Sequence, residues 1–315
     1  MNPEQYGVGV VGTGIMGRRM LAALQAHPRF RVDALFDPSP VSIAQAQGLV
    51  PEAVAVDSLS ALVARPGLQL VYVASPPAAH GDAVQASLAA GRAVLCEKPL
   101  AADLPQALAL QQAVAAAGLP FAVNFPFARA AACLQLAQAL QAGPAGPVGA
   151  PHTARITLRF AQWPRPWQAG ASAWLAGAAE GGFTREVLSH FVFLAQRLFG
   201  PAQVADVRLT RAPNQTETAL QATLVHAGLQ VQVDAAVAGD VADHNRFEVS
   251  GPQGSLALVD WSRLERDGQP LAPRTDSTPS TLDAVALQLA GVTDHGLATV
   301  EEAVAVVRTI EALLA

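Results

Sequence analysis

Six short, nearly continuous apolar runs recur through the first 125 residues: Tyr6–Val11, Arg31–Phe36, Val54–Val56, Leu70–Ala74, Ala93–Cys96 and Phe121–Asn124. Ala-, Leu- and Gln-rich segments with helical spacing separate most of them, among them Ala78–Ala90 and Leu104–Ala117. A strand buried on both faces has no polar side to alternate with. Continuous apolar strands joined by helices therefore predict a parallel sheet covered on both faces. Residues 1–125 read as a doubly wound α/β domain.

The pattern changes after Gly143-Pro144-Ala145-Gly146-Pro147, a turn-rich connector. Apolar and polar positions then alternate in Thr153–Phe160, Val204–Thr210, Ala219–His226, Leu229–Val237 and Phe247–Val249. His226-Ala227-Gly228 and Gly251-Pro252-Gln253-Gly254 carry hairpin signals. Residues 126–315 read as an α+β domain with an open, mostly antiparallel sheet and one helix near 183–199. A loop falls around 270–280, and an amphipathic helix over 299–314 is expected to pack back on the first domain.

Composition narrows the classes. Half of the 315 residues are hydrophobic and 14% are charged, which describes a compact globular chain. The net charge of −5 and the absence of a basic stripe argue against nucleic acid as a partner. Met1–Tyr6 shows no leader pattern, and no apolar stretch approaches membrane-spanning length. The two cysteines, Cys96 and Cys133, have no metal-ligand spacing, so no metal is expected and a cytoplasmic location is.

Gly12-Thr13-Gly14-Ile15-Met16-Gly17 follows the first apolar strand and opens a helical segment. In this GxGxxG the glycines serve a tight turn, close approach of backbone to pyrophosphate, and close helix–strand contact. The helix start adds unpaired N–H groups for the phosphates. Asp37 ends the second strand twenty residues after Gly17, where a carboxylate accepts from the adenosine ribose hydroxyls. The same carboxylate would repel the 2′-phosphate of NADP. These residues predict a Rossmann domain that binds NAD, with NADP as the alternative.

Lys98 is the only lysine among twenty basic residues. Where arginine serves everywhere else, a single lysine suggests a site needing a compact ammonium that can release a proton. It closes the fifth predicted strand, at the sheet end where ligands bind.

At this point the chain resembles the Gfo/Idh/MocA family, the glucose–fructose oxidoreductase and inositol dehydrogenase relatives. The resemblance rests on Gly12–Gly17, on Ser75-Pro76-Pro77 with His80, on Ala90–Leu100 with its Glu97-Lys98-Pro99, and on Glu180-Gly181-Gly182 followed by Glu186 and His190. It implies NAD(P)-dependent oxidation of alcohols or reduction of carbonyls on sugars, cyclitols or related diols. It also implies a cofactor site including Ser75, Pro76, His80, Glu97 and Lys98, a cis Lys98–Pro99 bond, and a homodimer or homotetramer built through the second sheet. By the same resemblance His190 falls at the family's catalytic histidine, and Glu186 stands where the family usually has aspartate.

Glu186 and His190 lie four residues apart on one helix face, opposite Val187, Leu188, Phe191, Leu194 and Leu198. In the expected chemistry His190 takes the hydroxyl proton, Lys98 hydrogen-bonds the same oxygen and Glu186 orients the imidazole. Trp163, Arg165, Trp167 and Arg185 are candidates for a polyol or carboxylate pocket, as are Asn124 and Arg129 at the domain junction. His27, His152, His226, His244 and His295 read as structural or exposed. Two other functions fit the same residues: a cofactor-sensing regulator without turnover, and a lyase or hydrolase that retains NAD for transient oxidation.

Overall fold

The computed structural model describes residues 5–239, 241–271 and 273–315; residues 1–4 of the segment read for a leader and position 272 of the predicted loop lie outside them. The chain divides into two compact units, residues 1–125 with 278–304, and residues 126–277 with 305–315.

The first unit runs β1 (Tyr6–Val11), α1 (Ile15–Ala26), β2 (Phe30–Phe36), α2 (Pro40–Gln47), β3 (Val54–Ala55), α3 (Leu59–Val63), β4 (Leu68–Val73), α4 (His80–Ala89), β5 (Ala93–Glu97), α5 (Leu104–Ala117) and β6 (Phe121–Asn124). All six strands are parallel, in the order β3-β2-β1-β4-β5-β6. The order reverses between β1 and β4, which leaves a crevice at the carboxyl ends of the strands. Val8, Val10, Val71, Tyr72, Val73, Leu95 and Cys96 are almost completely buried, as strands covered on both faces require. Helix starts follow their capping residues: Ser39, Ser58 and Asp103 each accept a backbone N–H from the first turn of α2, α3 and α5.

The second unit begins with α6 (Ala131–Gln141) and β7 (Thr153–Phe160), continues through the short α7 (Ser172–Leu175) and α8 (Ser189–Phe199), and then builds β8 (Gln203–Arg211), β9 (Glu217–His226), β10 (Leu229–Val237), β11 (His244–Gly251), β12 (Gly254–Val259), β13 (Arg263–Arg266) and β14 (Gln269–Pro270). The eight-stranded sheet is ordered β14-β13-β12-β11-β7-β10-β9-β8. Only β7 and β10 run parallel; every other pair is antiparallel. One face buries Ile156, Leu158, Val231, Val233, Phe247 and Val249, and Phe199 of α8 reaches Phe247 with ring centroids 6.5 Å apart. The opposite positions are polar, with Arg159 paired to Asp234 at 2.6 Å and Arg246 to Glu248 at 2.6 Å.

Three features differ from expectation. Helix α6 lies in an Ala-, Leu- and Gln-rich stretch before the connector to which the sequence reading assigns no element, and its cap position, Ala130, has no capping side chain. β12–β14 form a further meander that the alternation pattern did not show. The region around 270–280 is partly helical: α9 (Thr278–Leu289) begins inside it. Its Leu282, Ala284 and Val285 join the first unit's core with Val8, Leu21, Leu24, Val32 and Leu35. The last helix, α10 (Val300–Leu314), carries the predicted amphipathic pattern. Among the described residues, no helix is long and apolar enough to cross a membrane.

His226 at the end of β9 is 3% exposed, and its Nδ1 faces the carbonyl of Gly200, which closes α8, at 2.8 Å. Its Nε2 is buried without a hydrogen-bond partner. Burial lowers the pKa of this imidazole despite the carbonyl's opposing effect, so it folds neutral. The unfolded chain then binds the extra proton, and stability present above the ordinary histidine value is lost as pH falls below it. We expect the unfolding free energy, from urea titration, to fall between pH 7 and pH 5. The slope should be shallower in His226→Asn, which keeps a donor for Gly200 and cannot charge.

Candidate active site

In the glycine turn that joins β1 to α1, Gly12 has φ +89°, and a Cβ there would stand 2.5 Å from the backbone of Ala74 and Ser75. At Gly17 an added Cβ would overlap the Gly12 carbonyl oxygen. At Gly14 it would meet nothing within 4 Å, and α1 starts there without a side-chain cap. The first and third glycines thus allow close packing, while the second faces open space next to uncapped helix N–H groups. That is the cradle a pyrophosphate needs.

Asp37 follows β2 and braces this turn. Its Oδ2 accepts from the Thr13 amide at 2.7 Å and hydroxyl at 3.2 Å, and its Oδ1 accepts from the Ser39 amide at 2.8 Å. Thr13 is fully buried, Ile15 is half-buried and Met16 is 39% exposed. Oδ2 already accepts twice, so Oδ1 is the oxygen with acceptor capacity left for a ribose hydroxyl. The glycine turn and Asp37 together fit NAD.

At the ends of β4 and β5, His80 is the tie. Its Nε2 faces the Ser75 carbonyl at 2.8 Å and its Nδ1 the Pro99 carbonyl at 3.0 Å, so one buried ring links the Ser75-Pro76 loop to the cis Lys98–Pro99 bond. Burial lowers the His80 pKa against the pull of those carbonyls. Lys98 itself is half-buried. Beside it Glu97, 6% exposed, accepts from the Tyr72 hydroxyl and from Asn124 Nδ2 at 2.6 Å. Burial, followed by the neighbouring Glu97 charge, raises the Tyr72 phenol well above its usual range, so it serves as a donor. Asn124, read as a substrate candidate, thus holds Glu97. Tyr72 lies in the apolar run of β4, where nothing in the sequence marks it as a donor to a buried acid.

In the second unit, Glu217 fixes the start of the helix that carries Glu186 and His190. The Glu217 carboxylate, 3% exposed, accepts from the Thr184 amide at 2.6 Å and lies against Gly182, whose φ is +94°. An acid at a helix start is favoured by the dipole. The turn Thr184–Leu188 is π-helical, not α-helical as the i, i+4 spacing implied, and passes into α8 at Ser189. Such wide turns inside helices often mark functional sites. Glu186 accepts from Gln168 Nε2 at 3.4 Å, and Gln168 Oε1 in turn accepts from Arg165 Nε at 3.0 Å. The Arg165 guanidinium lies 4.7 Å from the Trp167 ring and 5.5 Å from the Trp163 ring. Arg185 is engaged elsewhere: it pairs with Glu311 at 2.9 Å and donates to the Ala178 carbonyl. Arg129 is half-buried just beyond Phe127. His190 is 7% exposed and sits against the rings of Phe127 and Trp261. Glu217, at the start of β9, and Trp261, in the turn between β12 and β13, carry no sequence signal that marks them, since both are distant in the chain from the residues they meet.

The model of an oxidoreductase family with an NAD-binding Rossmann fold matches residues 6–125, and that of the GFO/IDH/MocA C-terminal domain matches 134–257. The chain belongs to the GFO/IDH/MocA family, and its first unit is an NAD-binding Rossmann domain. The inositol 2-dehydrogenase of Gluconacetobacter diazotrophicus is 40% identical over 107 residues, a stretch covering 32% of this chain and 31% of that protein. An oxidoreductase from Thermotoga maritima superposes with a TM-score of 0.85 at 16% identity, over 99% of this chain and 96% of the other. GenD2 from gentamicin A biosynthesis, in complex with NAD, superposes at 0.77 with 25% identity, over 99% and 94%.

Calorimetric titration is expected to show tighter binding of NAD(H) than of NADP(H). Asp37→Ser should narrow the difference. Because Asp37 also braces Thr13, it should weaken NAD itself by ~10-fold, the order of one lost hydrogen bond to a charged group. Equal or tighter NADP binding by the unaltered chain would reject the role of Asp37.

Proposed function

We propose that this protein is an NAD-preferring dehydrogenase or reductase that moves hydride between nicotinamide and a secondary alcohol or carbonyl of a sugar, cyclitol or related diol. The observation that carries the reading is the chain's single lysine at the carboxyl end of β5, half-buried beside a fixed carboxylate, on an NAD-binding domain. The likeness to an inositol 2-dehydrogenase supports the substrate class.

Bound NAD supplies the hydride acceptor, and the protein's own groups handle the proton. When an alcohol carbon loses hydride, its hydroxyl proton must leave in the same event. His190 accepts that proton, since an imidazole exchanges protons near neutral pH. Lys98 donates a hydrogen bond to the oxygen and stabilises its developing negative charge. Glu186 orients the imidazole, and reduction reverses each role. Arg165, stacked with Trp163 and Trp167, offers a surface for a polyol ring or an acidic substituent. The buried free cysteines suit a reducing compartment, so the proposed setting is the cytoplasm. The polar sheet face of the second unit is the proposed homo-oligomer interface.

The test is NADH formation across a panel of inositols and hexoses, followed by variants on any substrate found. Lys98→Arg keeps the charge but replaces a compact ammonium with a larger planar group that misplaces the donor, so turnover should fall by ~10²-fold, in the usual range for losing a donor to a developing oxyanion. Cofactor affinity, measured separately, should hardly change. His190→Ala should lose turnover too, and the double variant should lose less than the product of the single losses, as for residues serving one step. Full activity in Lys98→Arg would refute the assignment, and cofactor binding with no turnover on any substrate would favour a regulator.

A further inference from the structure

The turn between β12 and β13 carries a backbone anomaly. Val259 pairs with Arg263, and between them Asp260 and Trp261 both adopt positive φ, 46° and 75°. The loop has three residues, Asp260–Ser262, and such loops are usually a type I turn closed by a single left-handed residue. A tryptophan at the second position is a genuine outlier, because its Cβ crowds the backbone in that conformation.

The surroundings hold it there. The Trp261 amide donates to Asn245 Oδ1 at 3.0 Å, and the Asp260 amide donates to the Asn245 carbonyl at 2.9 Å. The Asp260 carboxylate takes His244 at 3.1 Å and Arg274 at 3.2 Å. The strained turn aims the indole at His190: their ring centroids are 5.1 Å apart and nearly perpendicular, at 88°. Phe127 stands 5.7 Å from the same imidazole and 5.8 Å from the indole.

We infer that Trp261 is a positioning residue for His190, setting the plane of the imidazole from a turn whose backbone is strained to hold it. The inference rests on the proton-transfer role proposed for His190. The physical reason is rotational. The outer torsion of a histidine side chain is broad and roughly two-fold, so the helix alone leaves the ring plane loosely defined. Edge-to-face aromatic contact is directional and narrows it. A ring needed only for packing has no call for a left-handed backbone; glycine at 261 would relieve the turn. Strain kept at such a position is a sign of constraint.

The experiment compares Trp261→Gly, Trp261→Leu and Trp261→Phe in the NAD-loaded full chain, in otherwise unaltered protein and with His190→Ala. Trp261→Gly and Trp261→Leu should lower kcat by ~10-fold or more, as misplacement of a reacting group does. KM and NAD affinity should stay within about threefold, and Trp261→Phe should recover most of kcat, since it restores an aromatic edge. With His190→Ala, the same replacements should cost nothing further. NMR of histidine-labelled protein adds a readout that needs no substrate: a His190 ring-proton resonance displaced by the indole should move in Trp261→Gly and Trp261→Leu. Unchanged kcat in those two variants, equal losses with and without His190, or an unmoved resonance would each overturn the inference. Full turnover in His190→Ala would instead remove the role proposed for His190.

Discussion

At the head of α1 there is no room for a side chain between the third glycine and the first. A methyl group on Gly17 would overlap the Gly12 carbonyl, and one on Gly12 would press on the backbone after β4. That close approach lets β1, β4 and the first turn of α1 meet at one point. The helix N–H groups and the ends of the central strands consequently face the same crevice. Asp37 braces the arrangement through Thr13, so the acid proposed to meet the ribose also shapes the glycine turn.

The buried polar groups around this crevice form a second layer with the same logic. His80 spans the loops after β4 and β5, and Glu97 is held by donors from β4 and β6. A buried carboxylate is tolerable only when hydrogen-bonded, and the donors that satisfy Glu97 also fix the strand end from which Lys98 projects. In the second unit Glu217 does the corresponding work. It accepts the Thr184 N–H at the start of a helix whose opening turn is wide, and so sets where Glu186 and His190 begin their course.

Much of this was legible in the linear pattern. The strands β1, β6, β7 and β10 fall where the apolar runs place them, and the stop of α8 at Gly200-Pro201 follows from residue types that terminate helices. The glycine turn, Asp37 and the solitary lysine declared themselves through residue type and spacing. The β12–β13 loop, Asp260-Trp261-Ser262, carries no glycine, proline or asparagine, so it does not punctuate the sequence. The tryptophan that hid the hairpin is the one packed on His190.

The sequence by itself determined the alternation of strands and helices in residues 1–125, the parallel sheet with its glycine turn, and the residue types able to exchange a proton. Those follow from periodicity and short-range chemistry, which a linear chain records directly. Only the tertiary structure decided that Thr278–Leu289 completes the first unit's core, that Glu217 opens the helix at Thr184, and that Trp261 stands over His190. Each joins groups far apart in the chain, where the partner is selected by burial and by the need to satisfy a buried donor or charge. No spacing rule carries that information, because it resides in which surfaces the folded chain brings into contact.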